Sequence, residues 1–287
     1  MNTDDVIEHA AHLSGNVQLA MKAARAAGDV IREGYGKLNQ VQKKDVGDLV
    51  SQVDLDADRE ACQVLRGESD WPILSEELNS ERPDAKDFWI VDPLDGTNAF
   101  LLQAGDHYSS VLVAARQGDR TQLGVVYFPL TEEWFYAERG RGAWRNGRRL
   151  VIDDSPQTLS DVWVEMNQYG HAKWESSFFG DLRTRLRMAG GAQLVTSSVP
   201  NSGVAMRIAC GESALAVAVH DNNPDHVKQA PWDIAAPQVI LEEAGGVFLN
   251  PDGRPSDPFV AEPIIVARSE ALAQEILKLA TLAGSRT

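Results

Sequence analysis

An unbroken apolar run, Phe88-Trp89-Ile90-Val91, delivers the chain into Asp92-Pro93-Leu94-Asp95-Gly96-Thr97. No other stretch narrows the possible folds as much. Consecutive apolar residues bounded by breakers suit a short strand covered on both faces. Asp92 falls at the end of that strand, and Pro93, which cannot donate to a ladder, is expected to stop the pairing there. A turn then returns Asp95 beside Asp92, and Gly96 lets the backbone approach a ligand closely. Two carboxylates on a rigid turn, beside backbone N–H groups and the Thr97 hydroxyl, can hold a hard cation against a phosphate. Taken alone, the same residues also describe an Asp-rich β-turn that caps a helix.

The remainder of the chain bears on that choice. Its 287 residues make one large domain or two intimate ones, with a change of character near residue 150 dividing 1–150 from 151–287. The net charge of -15 argues against a nucleic-acid groove, which needs clustered Lys and Arg, and fits a protein that offsets some acid with bound metal. The segment Met1 to Asp5 is acidic and has no basic-then-apolar leader pattern, and no apolar run is long enough to span a bilayer; a cytoplasmic location is expected. Cys62 and Cys210 stand far apart in helix-like contexts and are expected to be small core residues, not a disulfide.

Along the chain, Val17, Ala20, Met21, Ala24, Ala27 and Ile31 follow helical spacing. Ser51-Gln52-Val53-Asp54 has the form of a capping box opening a second helix, so Asp54 alone needs no role beyond a helix terminus. Pro72 to Ser75 is expected to be a short strand delivering Glu76-Glu77, only one of which can face a given site. Strands are predicted over 108–115, 123–128 and 133–137, and Asn146-Gly147 marks a hairpin. The Gly-rich stretch with Arg139, Arg141, Arg145, Arg148 and Arg149 is the most basic surface on an acidic protein, and is expected to be a solvated hairpin. After residue 160 strands and helices alternate. A helix from Ser202 to Cys210 and a strand from Ala214 to Val219 lead to a polar loop beginning at His220. A helix from Ile234 to Ala244 then carries Pro237 near its first turn and ends at Gly245-Gly246.

Three motifs now stand in order: Ser75-Glu76-Glu77, Asp92-Pro93-Leu94-Asp95-Gly96-Thr97, and Trp232-Asp233 running on to Glu243-Ala244-Gly245-Gly246. Together they resemble the inositol monophosphatase family of magnesium-dependent, lithium-sensitive phosphatases, from about the second helix to the last strands. The resemblance implies a layered α/β/α/β/α sandwich, a homodimer, and two or three Mg²⁺ ions held by Glu76, Asp92, the Leu94 carbonyl, Asp95 and Asp233. It implies that Glu76, Asp54 and Thr97 serve the attacking water. It also implies that Asp95, Gly96, Thr97, Ser202 and Gly203 hold the substrate; His226 is a further candidate substrate contact, read from the polarity of its own loop and not from the resemblance. Physical chemistry agrees independently. Mg²⁺ takes oxygen ligands, and gathered carboxylates repel one another unless cations lie among them.

The sequence also departs from the family pattern. Ser75 stands where Gly is common, Asn98 comes one place early after Gly96-Thr97, and the Asp often found after Gly211 is absent. The loop from His220 to Lys228 is long and polar and is expected to lie over the substrate. Inositol monophosphate, histidinol phosphate, a nucleotide 3′-phosphate and a sugar phosphate therefore remain open as the small phosphorylated metabolite. Beside the enzyme stands a non-catalytic metal- or phosphate-binding protein of the same fold. A sugar- or nucleotide-binding module without metal is disfavoured by the crowd of carboxylates.

Overall fold

The computed structural model describes residues 2–37, 41–45, 48–105, 109–153, 158–168, 177–188, 193–195, 201–211, 215–221 and 230–281. It begins with α1 (Thr3–His9) and α2 (Gly15–Gly34), whose predicted stripe from Val17 to Ile31 is buried. A hairpin, β1 (Val41–Asp45) and β2 (Asp48–Ser51), leads into α3 (Gln52–Glu68). The capping box forms as expected: Val53 N donates to Ser51 Oγ at 3.2 Å, and Ser51 N donates to Asp54 Oδ2 at 2.8 Å. An N-cap of this kind contributes about 1 kcal/mol.

Next come β3 (Ile73–Ser75), β4 (Phe88–Asp95), α4 (Thr97–Leu101), β5 (Ser110–Gln117), β6 (Arg120–Phe128), β7 (Glu133–Glu138), β8 (Gly142–Arg145) and β9 (Arg148–Leu150). The seven strands pair in chain order; β3 is parallel to β4 and the rest are antiparallel. Asn146 (φ 48°) and Gly147 (φ 77°) both take the left-handed conformation that a two-residue hairpin turn requires. The second half supplies β10 (Trp163–Gln168), α5 (Ser177–Met188), β11 (Gln193–Val195), α6 (Asn201–Cys210), β12 (Leu215–Asp221), α7 (Pro231–Ala244), β13 (Val247–Leu249), β14 (Ile264–Ala267) and α8 (Glu270–Thr281). Its five strands order as β11-β10-β12-β14-β13.

Side-chain alternation stacks these parts. Along β4, Trp89 and Val91 enter a core shared with α2 and α3, whereas Phe88 and Ile90 enter one shared with α6 and α7. That middle core also takes Ala218 and Val266 from the five-stranded sheet. The sheet's other face, Val217, Val219 and Ile265, packs on Leu182 and Leu186 of α5 and Leu272 and Ile276 of α8. The result is the expected α/β/α/β/α sandwich, with α6 and α7 as its central layer. α7 lies so close to β6 that a Cβ on Gly124 would stand 2.4 Å from the Ala236 carbonyl oxygen. No larger residue fits there without moving backbone.

Three local expectations change. Pairing does not stop at Pro93: Asp92 opposes Leu112 and Asp95 opposes Ser110, with the ladder interrupted between them. The proline forfeits its own hydrogen bond without ending the strand, because the chain absorbs it in a bulge. α7 starts at Pro231, where a missing N–H costs least, so Pro237 lies in the helix interior and Asp233 in the first turn. His220 belongs to β12, not to a loop, and is 2% exposed. Tyr108 and the loop residues 222–229, with His226 and Lys228, lie outside the described residues.

Candidate active site

The bulge in β4 has a direct geometric result. Residues three apart on a regular strand point to opposite faces. Here three steps on β4, from Asp92 to Asp95, oppose two on β5, from Leu112 to Ser110. The extra residue restores the phase, so Asp95 follows Asp92 on one face. Leu94 N turns back to donate to Asp92 Oδ1 at 3.0 Å. Gly96, at φ 92°, then caps α4, a conformation glycine adopts without strain.

Thr97, the first residue of α4, donates its hydroxyl to Asp54 Oδ1 at 2.7 Å and also lies 3.2 Å from the Leu94 carbonyl. Asp54 is 1% exposed. Burial raises its pKa, and the hydrogen bonds from Ser51 and Thr97 oppose that rise. The capping box and the site thus share one carboxylate: Oδ2 closes the helix and Oδ1 serves Thr97.

Asp92 is fully enclosed, and its pKa stands well above the usual carboxylate range. Burial is the main cause, followed by the charges of Glu76, Asp95 and Asp233. These four acids, drawn from β3's outgoing turn, β4 and the first turn of α7, therefore lie close enough to repel. Asp95 is pushed up to about 6 by burial, moderated by hydrogen bonds from Ser202 and Ser110. Ser202 Oγ donates to Asp95 Oδ2 and lies 2.8 Å from Ser110 Oγ. Ser202 and Gly203 do open α6, but Ser202 is fully buried and its hydroxyl is committed to Asp95. Among the described residues no three His, Cys, Asp or Glu side chains are already closed around one ion position. The donor set nonetheless fits a hard divalent cation: it is all oxygen, and its mutual repulsion is what such a cation removes.

Two supporting residues escaped the sequence reading. Asp58, one turn beyond Asp54 on α3, is fully buried; its Oδ2 accepts Glu77 N at 3.1 Å and Leu78 N at 3.0 Å, and its Oδ1 accepts Cys62 Sγ at 3.0 Å. It fixes the turn that carries Glu76, which also bonds through its own N to the Val91 carbonyl at 3.2 Å. The four-residue spacing from Asp54 was the available signal. Ser110 is the other, a hydroxyl at the start of an apolar strand.

The basic hairpin is not part of this site. β8 and β9 form the sheet edge opposite β3. Arg139 pairs with Glu242 at 2.5 Å and Arg141 with Glu138 at 3.4 Å, while the Arg149 guanidinium lies 4.8 Å from the Trp144 ring centre. Glu243 accepts Gly140 N at 2.9 Å and Gly142 N at 2.8 Å, so the late Glu-Ala-Gly-Gly motif fastens α7 to the β7–β8 turn.

A five-layer sandwich with an acidic bulge between its halves defines a family. The family model described as the inositol monophosphatase family matches residues 13–283, and the chain belongs to that family. It is 29% identical to "Nus factor SuhB" of Haemophilus influenzae, over 91% of this chain and 94% of that one. It is 31% identical to "Inositol monophosphatase 2" of Solanum lycopersicum, over 84% and 89%. Among solved structures, the SuhB protein of Bartonella henselae superposes with a TM-score of 0.78 at 26% identity, covering 96% of this chain and all of that one. An IMPase/NADP phosphatase, solved with Mg²⁺ and phosphate, superposes with a TM-score of 0.72 at 23% identity, over 89% and 90%. Among the described residues no helix is long and apolar enough to cross a membrane.

Proposed function

We propose that this family member is a Mg²⁺-dependent phosphomonoesterase acting on a small phosphorylated metabolite of the inositol monophosphate kind. The observation that carries the reading is the pressure of Glu76, Asp95 and Asp233 on buried Asp92. Glu76, Asp92, the Leu94 carbonyl, Asp95 and Asp233 would hold two or three Mg²⁺ ions, which when bound supply charge neutralisation for the phosphate and acidify a water. Thr97 would orient that water, with Asp54 accepting its proton through the Thr97 hydroxyl. Burial raises the Asp54 pKa against the opposing Ser51 and Thr97 hydrogen bonds, which is the direction that strengthens a carboxylate as a proton acceptor. Backbone N–H groups at Gly96 and Thr97 would face the phosphate oxygens. Ser202 would act through Asp95, holding that carboxylate in orientation, and His226 would meet the alcohol part of the substrate. Family resemblance is the ground for reading it as a cytoplasmic homodimer.

The test is phosphate release from a panel containing inositol monophosphate, histidinol phosphate, a nucleotide 3′-phosphate and a sugar phosphate. It is run with Mg²⁺, with excess EDTA, and with LiCl against matched NaCl. Mg²⁺-dependent turnover of one class, inhibited selectively by Li⁺, is expected; full turnover in EDTA would sink the metal model. One finding favours a second reading, a binding protein without turnover: a relative named Nus factor matches about as well as one named monophosphatase. Mg²⁺ binding without release from any substrate would select it.

A further inference from the structure

A cleft of about 460 Å³ opens far from the carboxylates, between the β5–β6 turn, the C-terminal end of α7 and the segment from Pro255 to Pro258. β4 and β5 join the two places: Asp95 opposes Ser110 at one end and Phe88 opposes Arg116 at the other. At about 3.3 Å per residue, the span is roughly 20 Å. The cleft therefore shares no residue with the candidate active site.

Its chemistry is unusual for an idle surface. Arg116, Thr121 and Ser256 line it and are 6%, 3% and 4% exposed, yet Arg116 Nε, Thr121 Oγ1 and Ser256 Oγ have no hydrogen-bond partner. Buried polar atoms are nearly always paired, so three orphans around one cleft call for a ligand. Beside them the guanidinium of Arg82 lies 4.4 Å, and that of Arg116 4.8 Å, from the centre of the Phe259 ring. Burial disfavours the Arg116 charge, Asp257 opposes that effect, and the nearby Arg82 cation adds to it. Arg120 stands exposed among the lining residues. Arg139 and Glu242 cancel in their ion pair, and the other two acids of the lining, Asp119 and Asp257, balance Arg116 and Arg120. A lining balanced in charge but rich in unpaired donors suits one small oxyanion and disfavours a polyphosphate.

We propose that this cleft is a second ligand site, which takes a small metabolite through one oxyanion group, a carboxylate or a phosphate, bound by Arg116 and Arg120 with the Thr121 and Ser256 hydroxyls. Gln238, Glu242 and Gly246 at its wall belong to or directly follow α7, the helix whose first turn carries Asp233. Occupancy is thus placed to act on the distant carboxylates through one rigid element.

The experiment uses the full chain in EDTA and follows backbone amide resonances while inorganic phosphate, and separately succinate, is added to tens of millimolar. Saturable shifts at Thr121, Val247 and Asp257 with either probe are expected, and the stronger probe tells whether the site prefers phosphate or carboxylate. Arg120→Gln, an exposed change that leaves the fold intact, should weaken binding at least about tenfold, as loss of a charge-assisted contact does. Ser256→Ala should weaken it less. Shifts confined to Gly96 and Thr97, no saturable shift with either probe, or equal affinity in Arg120→Gln would each overturn the proposal.

Discussion

Thr97 Oγ1 and Asp54 Oδ1, forty-three residues apart in sequence, meet at 2.7 Å. The hydrogen bond ties the first turn of α4 to the first turn of α3. It leaves the threonine hydroxyl with one defined direction in which to give its proton. If Asp54 takes a proton through Thr97, Thr97→Val should lower kcat by about a hundredfold or more with little change in KM, and Thr97→Ser should restore most of it. Steady-state kinetics on the three proteins decides. Equal loss in the Val and Ser variants would mean that the methyl group matters, not the hydroxyl.

Asp95 and Asp233 come from opposite halves of the chain, yet both press on Asp92. Asp95→Asn or Asp233→Asn removes a charge that a divalent cation would need. A fall in kcat of at least about a hundredfold is expected, together with weaker Mg²⁺ binding by calorimetry. Unchanged Mg²⁺ affinity in both variants would break the assignment of these residues as ligands.

Asp58 acts at one remove, by holding the N–H groups of Glu77 and Leu78. Asp58→Ala should cost about 10–100-fold in Mg²⁺ affinity, the usual effect of losing a support behind a ligand, while kcat at saturating Mg²⁺ recovers substantially. A calorimetric titration with Mg²⁺, without substrate, reads this directly. A kcat deficit that no amount of Mg²⁺ repairs would point to a different role.

His220 gives a pH signature independent of catalysis. Full burial lowers its pKa from 6.5 to about 3. The unfolded chain therefore binds a proton that the native state refuses as pH falls below about 6.5. This stability contribution is complete above that value and drains away towards about 3. By pH 5 the loss is about 2 kcal/mol. His220→Gln should show a shallower decline in urea denaturation between pH 7.5 and pH 5. Parallel decline in the two proteins would show that His220 is not the titrating group.

Gly124 permits the approach of α7 to β6. A methyl group there meets the Ala236 carbonyl, so Gly124→Ala should destabilise by about 1–3 kcal/mol in urea denaturation. It should also reduce activity, since any retreat of α7 carries Asp233 away from Asp92. Wild-type stability in this variant would mean that the helix has room to spare.

The parts of this design that were legible in sequence are those written locally. The capping box at Ser51, the Asn146-Gly147 turn and the periodicity of α2 each need only neighbours along the chain, and each stands where expected. Glu76, Asp92, Asp95 and Asp233 were legible as a set only through family resemblance. What was not legible depends on contacts distant in sequence. Pro93 reads as a stop because a single strand carries no sign that its partner will tolerate a bulge. His220 reads as loop because a polar letter next to Asp221 and Asn222 hides an inward-facing strand position. Asp58 reads as an ordinary acid on a helix, and only the Glu77 and Leu78 amides, nineteen and twenty residues on, reveal its use.

The middle core has one more consequence. Phe88, Ile90, Leu112 and Val126 come from the first half of the chain, and Val204, Ile208, Val239 and Ile240 from the second. A cut in the connection near residue 155 would leave the seven-stranded sheet with one greasy face bare, and α6 and α7 with nothing to lie against. The two pieces would therefore be poor proteins singly and natural partners when expressed together. Neither could work alone, because Asp92 and Asp233 would then sit on different molecules.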